Sequence, residues 1–276
     1  MKSFFILLFA ISVVFSTDAQ LKNDLKKVEL KGKVKSMALV ENYRYKEDGV
    51  FTAWEILYNK KYLFDNMGRY AEYTELKKDG SLSYKIKYIN NTKEKKAELA
   101  YFDKDEKPTT KKTWLYNAKG ELTEMLEYTK EGQLDRRYVF TYNDKGNNIS
   151  MTRYRGDGTM SSKTSYTYDA KGNEVSYLLE TSGYSNSSRK LVYDDKGNKI
   201  EEINYDGKGE IMFRKVRAYD AHGSMTEEKT YEGQDNYLHK TTWTYDYDKT
   251  GNWIKRTQYS NEGVDFDIAE RKIIYY

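Results

Sequence analysis

One six-residue phrase, written six times at near-constant spacing, constrains this chain more than anything else in it. It reads YNAKGE from Tyr116, YNDKGN from Tyr142, YDAKGN from Tyr168, YDDKGN from Tyr193, YDAHGS from Tyr219 and YDKTGN from Tyr247. Its glycines stand at 120, 146, 172, 197, 223 and 251, and FDNMGR with Gly68 lies 52 residues before the first of them. The degenerate YINNTKEKK around Asn91 occupies the place between. A looser turn alternates with the first, at Gly80, Gly132, Gly158, Gly209 and Gly263, and KEDGVF at Gly49 opens the series. Each unit of 26 residues therefore holds two turns and two strands. Fixed self-similarity at such a period marks a repeat architecture.

The chemistry of the phrase accounts for its spelling. An Asp or Asn at the second position can bond its own backbone two residues on, and the glycine accepts positive φ. That suits an antiparallel hairpin. The structural turn residues are thus Tyr142, Gly146 and Asn147; Tyr168, Asp169, Gly172 and Asn173; Tyr193, Asp194, Gly197 and Asn198; Tyr219, Asp220 and Gly223; and Tyr247, Asp248, Gly251 and Asn252. Pairing Tyr168 with Asn173 sets Tyr166 against Val175, and by the same rule Phe140 against Ile149, Leu191 against Ile200 and Tyr245 against Ile254. These fall on one dry face, while Lys163, Ser165, Thr167, Glu174 and Ser176 fall on a wet one. Such alternation predicts an all-β antiparallel meander of roughly 19 strands. The expected form is a β-solenoid or open spiral sheet with the tyrosines as its inner layer.

Composition agrees with a folded sheet. Mean hydropathy is -0.93, yet the chain holds 28 Tyr, 10 Phe and 4 Trp, whereas disordered segments are poor in aromatics. Net charge is +4 from interspersed signs, without the basic footprint that nucleic-acid binding requires. The opening MKSFFILLFAISVVFSTDAQ has the three-part plan of a signal peptide over residues 1–19, with cleavage after Ala19. Its apolar run from Phe4 to Phe15 would make about 18 Å of helix, too short for a bilayer. With 0 Cys, lipoprotein anchoring and disulfides are both excluded. Residues 20–42, with KVKSMALV, supply an N-terminal strand that caps the first repeat, and 43–276 form the array. Array ends need such caps.

Repeated Tyr-Asp-x-x-Gly-Asn units separated by a second glycine turn resemble the YD repeats of the RHS family, across roughly residues 43 to 276. The resemblance implies a β-strip that winds into a spiral or shell, and an association with carbohydrate. It looks like the small exported repeat proteins of Bacteroides-type bacteria. The unit here is longer than the family's usual one, and the array is followed by no region of the size of the family's enclosed toxins.

Chemistry-bearing residues are few. His222 takes the third variable place of a turn and His239 lies on a polar strand position, so no zinc site is expected. The turn aspartates offer too few oxygens per loop for calcium. No pair of acidic residues departs from the repeat as a glycosidase pair would. Trp114 and Trp243 fall on the dry face. Trp253 falls on the wet face and, with Trp54, is the candidate for stacking a sugar ring. The sequence thus points to an exported, non-catalytic repeat protein without cofactor, metal or transmembrane helix, in the periplasm, at the outer-membrane surface or outside the cell. A carbohydrate or envelope polymer is the expected partner. An interaction scaffold without a small ligand is the alternative, and an outer-membrane β-barrel the third reading.

Overall fold

The computed structural model describes residues 24–276 apart from 48–49, 92, 184–185 and 262–264. The signal segment and the turn glycines Gly49 and Gly263 lie outside the described residues. A 3-10 turn, Leu25–Val28, precedes β1 (Val34–Tyr43), followed by β2 (Lys46–Glu47), β3 (Val50–Phe51), β4 (Glu55–Phe64), β5 (Tyr70–Leu76), β6 (Leu82–Asn91) and β7 (Lys96–Phe102). Next come β8 (Pro108–Tyr116), β9 (Leu122–Tyr128), β10 (Leu134–Tyr142), β11 (Asn148–Arg155), β12 (Met160–Tyr168), β13 (Glu174–Thr181) and β14 (Ser187–Tyr193). The last are β15 (Lys199–Tyr205), β16 (Ile211–Tyr219), β17 (Met225–Glu232), β18 (Asn236–Tyr247), β19 (Trp253–Tyr259) and β20 (Asp265–Tyr275).

The all-β antiparallel meander is present, but it is neither a solenoid nor an open spiral. From β4 to β20 each strand pairs with its sequence neighbour, and β1 pairs with both β4 and β20. The 18-stranded sheet is therefore a closed barrel, with β2 and β3 as a separate hairpin. The strand expected to cap the first repeat is the seam: Met37 faces Ile273 on one side and Tyr62 on the other. Among the described residues, closure leaves the 18-stranded sheet without an unpaired edge strand, which removes the hazard that an open strip would carry.

The repeated phrase closes its turn as its spelling requires, one residue out of the expected register. The Asp169 N–H donates to the Asn173 carbonyl at 2.9 Å, and the Gly172 N–H to the Asp169 carbonyl at 3.1 Å. Gly172 has φ +86, a conformation that glycine takes freely. The Asp169 Oδ1 also accepts the Asn173 N–H at 2.8 Å, and Asp194, Asp220 and Asp248 repeat this with Asn198, Ser224 and Asn252. Asp169, not Tyr168, thus closes against Asn173, and Tyr168 pairs with Glu174.

A β-bulge then swallows one further residue, so Tyr166 faces Tyr177 rather than Val175. Likewise Phe140 faces Met151, Leu191 faces Glu202 and Tyr245 faces Arg256. The aliphatic residues assigned to the dry face sit at the bulge, where Ile149 and Ile254 are 40% and 38% exposed. An extra residue flips every later side chain of its strand to the other face.

The motif tyrosine knits neighbouring hairpins at this rim. Tyr142, Tyr168 and Tyr219 donate their hydroxyls to the carbonyls of Leu122, Asn148 and Lys199 at 2.8, 2.6 and 2.8 Å, each beside the bulge of the preceding repeat. Where glycine is missing, Lys95 and Glu106 hold positive φ of 51° and 56°. The turn at Glu106 is one that the glycine pattern does not show.

Candidate functional site

Counting from each motif glycine shows what faces the lumen. Six residues before it stand Tyr62, Trp114, Phe140, Tyr166, Leu191, Arg217 and Tyr245; five after it stand Tyr73, Met125, Met151, Tyr177, Glu202, Glu228 and Arg256. Along β5 to β10 these positions build a packed apolar wall with Trp114, Tyr116, Met125 and Phe140, in which Met125 is 0% exposed. Further round the ring the same positions carry polar and charged groups.

Between β10 and β14 the lumen holds a cavity of about 1240 Å³. Its lining includes Gly146 and Gly172 at one rim and Gly156 and Ser182 at the other, so it runs the length of the wall. Tyr138, Met151, Arg153, Thr164, Tyr166, Tyr177 and Arg189 face it. A pocket for a drug-sized ligand is typically ~300–1,000 Å³, so this space suits something longer.

Beyond it runs a belt of alternating charge. Arg189 bonds Glu174 at 3.2 Å and Glu202 at 3.4 Å; Arg217 bonds Glu202 at 2.9 Å and Glu228 at 2.8 Å; Lys215 bonds Glu228 at 2.9 Å. Burial pushes the Glu202 carboxyl up, and Arg217 and Arg189 more than reverse this, leaving it below the ordinary carboxylate range. Arg217, Glu202 and Glu228 stand where other repeats place an aromatic or methionine, such as Trp114, Tyr166, Tyr73 and Met125. That break in the repeat is the signal by which sequence could have found them.

At the seam, Arg256 bonds Glu41 at 2.6 Å and Asp267 at 3.3 Å. Burial, with the Glu41 carboxylate beside it, raises the Asp267 carboxyl to about 7. Arg271 stands 3.3 Å over the Trp253 ring, and burial lowers its pKa to about 10.

The segment from Asp24 to Lys31 crosses the motif-turn rim above this cluster. Asp24 donates its N–H to the Gly68 carbonyl at 2.7 Å and accepts the Tyr70 N–H at 2.9 Å. Lys31 exchanges two bonds with the Asn252 side chain, at 2.7 and 3.0 Å. Leu25 and Leu30 pack against Val34, Met37 and Phe64.

The two tryptophan candidates part company here. Trp253 is not on a wet face: it is 4% exposed, and its indole N–H donates to Glu29 at 3.0 Å. Its inward turn has the same cause as the register shift, since position two after the glycine precedes the bulge and pairs with the motif tyrosine. Trp54 is 38% exposed beside the β2–β3 hairpin, with the Arg44 guanidinium 4.7 Å from its ring and 4.7 Å from that of Phe51. Neither lines the cavity. His222 stacks on Tyr247 at 4.0 Å, and His239 faces Thr230 across the sheet. Among the described residues no group of His, Cys, Asp or Glu could hold a metal ion.

The outward face is also charged. Arg137 bonds Glu124 at 2.8 Å, Lys111 bonds Glu98 at 2.9 Å and Arg214 bonds Glu201 at 2.6 Å across neighbouring strands. Among the described residues no helix is long and apolar enough to cross a membrane.

No family model and no curated protein matches the chain. Solved structures similar to it include a porin-like protein from Bacteroides uniformis, at 14% identity and TM-score 0.48, covering 87% of this chain and 98% of that one. A porin-like protein from Bacteroides vulgatus gives 11% identity and TM-score 0.37, covering 89% and 99%. The TcdB2-TccC3 structure gives 13% identity and TM-score 0.33 over 76% of this chain and 15% of that one.

Proposed function

We propose that the protein is an exported, non-catalytic β-barrel of the cell envelope whose lumen takes up a polar, oligomeric ligand, with carbohydrate as the first class to test. The supporting observation is the cavity along β10 to β14, lined by tyrosine faces, arginines and hydroxyls and reaching both rims. Tyrosine rings stack on apolar sugar faces while hydroxyls and guanidinium groups bond the edges. The non-catalytic reading is supported by Glu174, whose carboxylate is committed to Arg189. The other acidic residues of the lining, Asp135 and Asp157, stand at the rim.

A membrane-spanning barrel is the second reading, favoured by the closed antiparallel ring of 18 strands. The outward ion pairs weigh toward water on both faces, because Lys or Arg at the midplane of a lipid-facing wall costs about 2–4 kcal/mol each. Expression with the leader, followed by fractionation and a calorimetric glycan screen, tests both. Release in soluble form with a saturable glycan hit is expected. Recovery only with detergent would favour the membrane barrel, and a soluble barrel that binds no glycan would favour a scaffold.

A further inference from the structure

Arg136 on β10 stands directly opposite Arg155 on β11, and Tyr138 opposite Arg153. All four line the same corner of the cavity, towards the rim that carries the second set of turns. Like charges directly opposed on antiparallel strands destabilise a sheet. Arg136 is offset by Glu127 at 3.4 Å and Asp135 at 3.5 Å. Arg153 and Arg155 have no carboxylate at ion-pair distance among the described residues. Arg153 lies 5.9 Å from the Tyr138 ring, and Arg155 donates to the Thr159 hydroxyl at 3.3 Å.

The contrast is with the charged belt and Arg256, while the buried Arg271 stacks on Trp253. Arg189, Arg217 and Arg256 face inward too, and each is paired with two carboxylates. The neighbouring inward residues on β12 and β13, Ser162 and Thr181, are small hydroxyls that leave this corner open. Guanidinium forks match carboxylate, sulfate and phosphate oxygens in pairs.

We propose that Arg136, Arg153 and Arg155 form an oxyanion subsite in the lumen, and that the ligand is an acidic saccharide whose charged group sits there while its ring lies along Tyr138 and Tyr166. This rests on the lumen being the ligand compartment. It adds the sign of the ligand's charge and the end of the cavity that reads it.

The test is calorimetric titration of the exported chain with three probes: an oligogalacturonate, a neutral oligosaccharide of equal length, and inorganic sulfate. Melting curves with and without sulfate accompany it. The uronate is expected to bind saturably and to weaken at least tenfold in Arg153→Gln and in Arg155→Gln, with affinity falling as salt rises. Sulfate is expected to raise the melting temperature of the wild type but not of Arg155→Gln. Without any ligand, Arg155→Gln is expected to melt higher than the wild type, because the opposed charges are relieved.

Sulfate binding that is lost in both variants, without preference for the uronate, would overturn the saccharide and leave a free-oxyanion site. Equal binding of uronate and neutral sugar, unchanged in both variants, would overturn the subsite while the lumen reading stands. Binding of none of the three probes, with melting unchanged by sulfate or substitution, would overturn both.

Discussion

Two stretches of this barrel wall are built on the same bulged hairpin, as in β8–β9 and β12–β13, and differ most in what they point inward. From β5 to β10 the inward positions hold Tyr73, Trp114, Met125 and Phe140, and the wall is packed solid. From β10 to β14 the inward residues include Met151, Thr164, Tyr177 and Arg189, and the lumen stays open. The turns and the bulge therefore specify the scaffold, and two or three side chains per repeat decide whether a sector is core or cavity. A repeat protein can in this way keep its frame constant while one sector of its interior is left open.

The largest expected effect lies in the packed sector. Met125→Ala should cost about 3 kcal/mol, as burying-to-cavity substitutions do, read as a lowered denaturation midpoint. Met151→Ala, at the equivalent place one repeat later, should cost less than half as much because its side chain already borders open space. Equal losses would break the comparison. Gly156→Ala comes next, since a Cβ there would meet the Leu134 carbonyl oxygen at 2.0 Å. A loss of about 1–3 kcal/mol is expected from overpacking. Gly197→Ala, with nothing within 4 Å, should show only the strain of positive φ, about 1 kcal/mol.

The seam offers a pH test. Asp267 has its folded pKa raised from 3.8 to about 7. Its stabilising contribution is therefore complete below about pH 4 and is lost as pH rises through about 7. Asp267→Asn should flatten that part of the stability curve, measured by denaturation at pH 4, 6 and 8, and an unchanged slope would assign the decline to other groups. The smallest effect is expected of Tyr219→Phe, which removes one hydroxyl bond to the Lys199 carbonyl and should cost about 1 kcal/mol. It should leave ligand uptake intact, sharpening the division between frame and lumen.

Much of the frame was legible in the chain. The turn aspartates, the glycine conformation, the antiparallel order and the strand alternation follow from residues 142–147 and their copies. The phase of the second strand of each hairpin did not. Val175 and Ile149 look like core residues by hydropathy alone, and nothing in their own chemistry announces a bulge. Trp253 was misplaced for the same reason. Closure was equally hidden, because it depends on summed twist and strand number rather than on any one repeat. The charged belt was visible as charge, yet tyrosine was expected as the inner layer and Glu174 was assigned to the wet face.

The seam also sets the order of events during folding. Lys31 and Asn252 are 221 residues apart, and β1 cannot complete its pairing until β20 has emerged. Contacts so distant in sequence form slowly. A newly made chain would therefore exist for a time as a curled strip with two sticky margins. During that interval, binding of one molecule's first strand by another molecule's last would yield linked chains, each repeat correctly formed and no ring ever made.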